Sequence, residues 1–366
     1  MANTTVPAEL INTATPLGRR NILINGDFGI YQRAQQVTGL GAASEYYTAD
    51  RWRIEGASGI SGRFTMTAGT EAAPPESNVT TSLKLDCTTA DTSLAAGEYL
   101  ILQQLVEGQN LQHVKKGTSG AKQLTVSFWV KSETGNFTYI AELYDADNTR
   151  QVSKSFSVTS SWSKVELTLP ADTTGAFGND ANVSLYCQIW LAAGSNFTSG
   201  TLSETWTSST NANRAVGVSN FYSSTSNELY ITAFQLEVGD VATEFEILSY
   251  PERLALCKRY YEEKGRSGVA YERFAVGWTT STVGSFAVFY EVEKRGIPSV
   301  SISDVGHFNV YTTNGVATGT GQSVTDLATN SYNQNITGIS STAGFGAMLI
   351  RDASDAARIK IDAELG

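Results

Sequence analysis

Residues able to do acid–base, nucleophilic or metal chemistry are few in this chain. Its 366 residues include two histidines, His113 and His307, and three cysteines, Cys87, Cys187 and Cys257. Neither histidine is flanked by a nucleophile motif such as GxSxG, and no GxGxxG or GxxxxGK[ST] phosphate loop occurs. A lone histidine is more often a surface or core residue than a catalyst. CxxC and HxxxH spacings are absent, so the usual zinc sites have no local motif to build on. Each cysteine sits inside an apolar pattern and reads as a small buried hydrophobe. Carboxylates such as Asp27, Glu142 and Glu237 could form the pair that sugar hydrolysis needs, but nothing selects two of them. The chain is therefore expected not to be an enzyme.

Binding chemistry is better represented. In Leu124-Thr-Val-Ser-Phe-Trp-Val-Lys131 and Val183-Ser-Leu-Tyr-Cys-Gln-Ile-Trp190, apolar and polar residues alternate strictly. That period places Trp129, Tyr186, Gln188 and Trp190 opposite the main apolar rows of their strands, and Glu142 and Tyr144 can join them. Aromatic rings among amides and carboxylates suit a sugar, whose C–H faces stack on the rings while its hydroxyls take the polar groups. The competing reading for each ring is coverage by a loop or a neighbouring subunit. A structural calcium ion is a second candidate ligand. It would be held by Asp27 near the first strand and Glu237 at the end of the last strand of the same sheet system, through hard oxygen donors. The alternative is two separate or salt-bridged surface carboxylates.

The elements that must position these groups are strands. Charged residues are 17% of the chain, Gly numbers 33 and Pro 7, the balance of a β-rich protein with hydroxylated outer faces. Further alternation occurs at Lys164-Val-Glu-Leu-Thr-Leu169 and Glu228-Leu-Tyr-Ile-Thr-Ala-Phe-Gln-Leu-Glu237. Separated by Gly, Asn, Asp and Ser clusters, such strands favour an antiparallel sandwich, and residues 21–248 fit one large jelly roll. Ser249-Tyr-Pro-Glu252 reads as a capping box, and Leu254, Cys257 and Tyr261 as one helical stripe ended by Gly265. A linking helix is expected over 249–265. Residues 266–366 return to alternation and are expected to form a smaller β-sandwich, with 312–338, poor in apolar anchors, as a surface loop or interface segment. The expected fold is thus all-β. It comprises a large jelly-roll β-sandwich, one linking helix and a smaller C-terminal β-sandwich domain.

Lys plus Arg is 26 and Asp plus Glu 36, giving a net charge of −10, with no basic run longer than a pair. Nucleic acid is an unsuitable partner for such a surface. Met1-Ala-Asn-Thr-Thr-Val lacks a basic region and an apolar core, and no apolar run reaches 18 residues. Neither a secretory signal nor membrane insertion is expected. Residues 1–20 show no periodicity and are read as an extended arm.

Three separated motifs carry a family resemblance. They are Arg20-Asn-Ile-Leu-Ile-Asn-Gly-Asp-Phe28 with Tyr47-Thr-Ala-Asp-Arg-Trp52, then Tyr230-Ile-Thr-Ala-Phe-Gln-Leu-Glu-Val-Gly239, then Leu254-Ala-Leu-Cys-Lys-Arg-Tyr-Tyr261. In this order they resemble bacteriophage tail-fibre and related virion fibre proteins with a carbohydrate-binding-module-like jelly roll. The resemblance spans residues 20 to about 262. It implies a non-catalytic structural virion protein that forms a homotrimer, assembles in the host cytoplasm and contacts host cell-surface glycans. It also implies that the arm, through Val6, Leu10 and Ile11, attaches to another virion protein, leaving 266–366 as a distal receptor-binding domain. Two alternatives stay open: a capsid head fibre or decoration protein, and a stand-alone carbohydrate-binding or depolymerising protein.

Overall fold

The computed structural model describes residues 19–266, 268–353 and 356–366. The candidate attachment residues Val6, Leu10 and Ile11 lie outside the described residues. The chain is all-β and divides into two compact units, one running to Ser249 and including Leu365–Gly366, the other Tyr250–Glu364.

The first unit is a sandwich of two antiparallel sheets. One has six strands in the order Gln36–Leu40, Arg63–Thr70, Ser82–Thr89, Glu228–Val238, Leu124–Ser132 and Ser163–Leu169. The other has seven, in the order Thr207–Ser208, Arg150–Val158, Phe137–Asp145, Val183–Ala193, Tyr99–Glu107, Arg53–Gly56 and Glu45–Tyr46. Alternation in the sequence explains the layers. Leu124, Val126, Phe128 and Val130 of one sheet and Leu185, Cys187 and Ile189 of the other are buried between them. Their intervening residues then point outward.

The first two of the three sequence motifs, Arg20–Phe28 with Tyr47–Trp52 and Tyr230–Gly239, meet in a clasp. Asn25 has a left-handed backbone, and its side chain bonds Ile30 N and O and the Asp50 carbonyl. The Trp52 indole donates to the Asn25 carbonyl at 2.9 Å. Phe28, Trp52, Phe234 and Phe128 form a continuous chain of rings with centroids 4.7–5.0 Å apart. The segment after Arg20 joins the last strand without a regular ladder: Ile22 N donates to Leu236 O, and Phe234 N to Gly26 O, both at 2.8 Å. A bulge at Ala233, φ 51°, opens the Glu228–Val238 strand for this contact.

In the second unit, helix Tyr250–Lys258 is followed by strand Tyr261–Lys264. The helix is therefore shorter than the expected 249–265. Tyr261 leaves the helical stripe because residues 261–264 pair with Ile359–Asp362, burying Tyr261 and Glu262. Ser299–Ile302 completes a three-stranded sheet. A seven-stranded antiparallel sheet has the order Gly315–Thr318, Phe308–Thr312, Gly346–Arg351, Arg273–Thr279, Val283–Phe289, Ser331–Thr337 and Gly321–Thr325. Phe286, Val288, Phe308, Val310, Ile336 and Leu349 pack with Ile359 and Ile361. The stretch 312–338, expected as a loop or interface segment, is mostly three of these strands. Two inward anchors, Tyr332 and Ile336, suffice once the backbone is paired.

Candidate functional site

The outer face of the seven-stranded sheet in the first unit carries a cleft of about 410 Å³. Register builds it. Tyr186 lies opposite Tyr144, Gln188 opposite both Glu142 and Gln103, and Gln103 opposite Arg53, so four adjacent strands place their outward residues in rows. Tyr99 and Glu55 extend the rows, and Phe197, Asn211 and Arg214 arrive from the segment after Ala193.

Beneath the surface runs a connected polar network. The Trp190 indole donates to Glu142 Oε2 at 2.8 Å. Arg214 donates to both Glu142 oxygens at 2.9 Å and to Gln188 Oε1 at 3.2 Å. Gln188 Nε2 donates to Gln103 Oε1, Gln103 Nε2 to Glu55 Oε2, and Arg53 pairs with Glu55 at 3.0 Å. Burial alone would lower the Arg214 pKa, but the Glu142 carboxylate outweighs it and the guanidinium is held above its ordinary value. Its cation also lies 4.7 Å from the Tyr144 ring centre and 5.0 Å from that of Trp190. Burial pushes the Tyr99 and Tyr186 phenols above their ordinary range, which keeps them neutral at physiological pH. The cleft thus offers fixed amides, two arginine–glutamate pairs and three partly exposed tyrosines, Tyr99, Tyr144 and Tyr186.

Five of the six residues singled out for sugar contact come together here, and their roles separate. Tyr144 and Tyr186 form an edge-on pair 5.8 Å apart with accessible surface. Glu142 and Gln188 are buried network members. Trp190 is 1% exposed, covered by Phe197 at 5.2 Å, Tyr99 at 5.9 Å and Arg214, so it cannot serve as an open stacking surface. Trp129 lies on the six-stranded sheet, flanked by Lys164 and Thr232 across the ladder, and takes no part in the cleft. Tyr99, Gln103, Arg53 and Glu55 were missed. Tyr99, Ile101 and Gln103 follow period 2, but flanking leucines and glutamines blur the alternation. Arg214 comes from a loop that carries no periodic signal.

The candidate calcium pair fares differently. The first and last segments do meet, as the clasp shows. Glu237, however, accepts bonds from Gln235 Nε2 and Thr243 N at 2.8 Å and from Thr243 Oγ1 at 2.7 Å. Its oxygens are engaged by N–H and O–H donors, and Asp27 sits buried in the first turn. Among the described residues no group of three His, Cys, Asp or Glu side chains could hold a metal ion.

Fold and cleft together define a two-unit β protein whose larger sandwich presents an aromatic and amide surface. No family model and no curated protein matches the chain. Among solved structures it is similar to the enzymatically active domain of bacteriophage CBA120 tailspike protein 4, at 11% identity and a TM-score of 0.30. That match covers 60% of this chain and 21% of the tailspike domain, so the chain spans about a fifth of that structure. It is also similar to a family 61 carbohydrate-binding module solved with β-1,4-galactotriose, at 15% identity and TM-score 0.28, covering 60% of this chain and 99% of the module. A family 11 carbohydrate-binding module from Clostridium thermocellum, solved with a mixed-linked tetrasaccharide, gives 11% identity and TM-score 0.27, covering 57% and 99%.

Proposed function

We propose that the first unit binds a host cell-surface glycan in the cleft rimmed by Tyr99, Tyr144 and Tyr186, and that the chain is a non-catalytic subunit of a virion fibre. The observation that carries the binding reading is the cleft itself: partly exposed phenol rings over a pre-bonded row of Gln188, Gln103 and two arginine–glutamate pairs. Rings supply stacking area and the fixed polar groups supply orientation, with little ordering left to do on binding. Both cleft carboxylates are committed to guanidinium groups, Glu142 to Arg214 and Glu55 to Arg53, which favours recognition over bond cleavage. The fibre reading rests on the three ordered motifs. With it come the homotrimer, assembly into the virion in the host cytoplasm and attachment through residues 1–20.

The test is a glycan-array screen of the whole chain followed by titration of the best hit. Tyr186→Ala is expected to weaken binding roughly 10–100-fold, about 1.4–2.8 kcal/mol, whereas Trp129→Ala is expected to leave it unchanged. Equal loss in both variants, or no glycan retained, would overturn the cleft assignment. Imaging labelled chain on particles tests the fibre: signal confined to appendages supports it, and many copies spread over the head would replace it with a decoration role.

A further inference from the structure

The seven-stranded sheet of the second unit has one face in its core and one that, among the described residues, stands largely open to solvent. On the uncovered face stand Val276 (69% exposed), Phe289 (66%), Trp278 (55%), Val316 (55%) and Tyr311 (48%). They are neighbours by register. Val316 pairs with Tyr311, Tyr311 with Met348, Met348 with Val276, and Val276 with Ala287, which makes one apolar row across five strands. Trp278 and Phe289 lie two residues along their strands from Val276 and Ala287, on the same side of the sheet.

The composition of this sheet is unlike that of the rest of the chain. Its seven strands contain no Asp, Glu or Lys, and their only charges are Arg273 and the buried Arg351. The chain as a whole is 17% charged. Beyond the apolar row the outward positions are Asn333, Asn335, Ser323 and Thr325, uncharged hydrogen-bonding residues. An apolar and aromatic centre, depleted of Lys, Glu and Asp and flanked by amides and hydroxyls, is the composition of a protein–protein interface. A sheet face left to water is usually kept soluble by charge, and this one is not.

Size points the same way. Aromatic side chains offer about 150–250 Å² each, so the five residues leave on the order of 500 Å² uncovered. That is near the upper end of the largest apolar patch on an ordinary monomer, about 300–600 Å². With the flanking polar rows, the face reaches the range of the ~800 Å² per partner of a stable interface. It also carries both halves of a fit: the protruding Phe289 ring, and a groove of about 360 Å³ lined by Tyr271, Arg273, Tyr311, Val316, Met348 and Ile350.

We infer that copies of this chain associate through this outer sheet face, with apolar side chains of one copy seated on the row and groove of another. The inference deepens the oligomeric part of the proposed function, rests on that part, and is independent of the glycan cleft. Three copies set around one axis, each apolar row against the groove of its neighbour, would bury these side chains as a β-sandwich core does.

The test is the solution mass of the full-length chain by light scattering, beside Val276→Glu/Trp278→Glu and, separately, Phe289→Asp. These side chains stand in solvent within one copy, so far-ultraviolet circular dichroism is expected to match the wild type. Wild type is expected at a multiple of 39.3 kDa and the double variant at the single-chain mass. A wild-type multiple that both variants retain would overturn the face and leave the oligomer standing. A single-chain wild type at tens of micromolar would overturn both. A single-chain wild type whose glycan binding falls in the double variant would make the face a ligand site instead.

Discussion

Trp190 acts from beneath the cleft. Its indole N–H donates to Glu142, Glu142 grips Arg214, and Arg214 reaches Gln188 and lies across Tyr144. Trp190→Phe keeps most of the ring but deletes the donor, leaving a buried carboxylate oxygen one bond short. We expect a loss of about 1–3 kcal/mol in urea unfolding, with the glycan affinity falling less than in Tyr186→Ala. An affinity loss larger than that of Tyr186→Ala, at unchanged stability, would show that the indole itself meets the ligand. Period-2 alternation made it legible that Tyr186, Gln188 and Trp190 share one face of their strand and Glu142 and Tyr144 one face of theirs, while the pairing that joins the two strands was not legible. Which of them stay open was not legible, since the cover, Phe197 from the four-residue helix Ser195–Thr198 and Arg214 from a loop, lies on segments without a periodic signal. Trp129 obeys the same alternation on another sheet, and alternation does not reveal which sheet a strand joins.

The clasp explains why the N-terminal and Glu228–Val238 motifs look as they do. A Cβ on Gly26 would stand 2.0 Å from the Phe234 carbonyl oxygen, which accepts from Asn21 Nδ2 where the two backbones cross, and would meet Phe245 as well. Because the obstacle is backbone, it cannot rotate away. Gly26→Ala is expected to destabilise the first unit by on the order of 2–4 kcal/mol, read as a drop in thermal midpoint. A change within about 0.5 kcal/mol, the usual scatter of a surface substitution, would show that the crossing yields. The motif residues are thus structural, Asn25 and Trp52 bonding across the turn while Phe28 and Phe234 fill the core. The resemblance they carry concerns architecture, and the cleft lies on other residues. Element types were legible wherever alternation was long, as at Leu124–Ser132 and Val183–Ala193. They were not legible at Tyr261, where a helical stripe continued in sequence but pairing with Ile359–Asp362 won. Nor were they at 312–338, where strands form with only two buried anchors because ladder hydrogen bonds, not side-chain hydropathy, hold them.

At the scale of the whole molecule, both units keep buried carboxylates ionised by surrounding them with cations. In the first unit Asp172 receives Arg150 at 2.7 Å and Lys116 at 3.0 Å, and Lys116 also contacts Asp145 and sits over Phe177 and Trp206. Burial alone would raise the Asp172 pKa, but these partners outweigh it and hold it below the usual range. In the second unit Glu262 lies fully buried between Lys294 and Lys264, both at 2.7 Å. Burial opposes its ionisation there too, and the two lysines again depress the pKa. A carboxyl whose folded pKa lies below its unfolded value takes up protons more readily when unfolded. Its contribution is therefore complete above the unfolded pKa, about 4, and is lost as pH falls through the folded one. Burial lowers the Lys294 pKa against the opposing pull of the Glu262 carboxylate. Both units should accordingly weaken together on acidification below about pH 4, where each loses a paired carboxylate. Asp172→Asn is expected to lower stability at neutral pH, since it leaves Lys116 and Arg150 without that charge, and to flatten the acid limb of urea-midpoint against pH. An acid limb as steep as that of the wild type would remove Asp172 from the account and assign the acid sensitivity to other carboxylates.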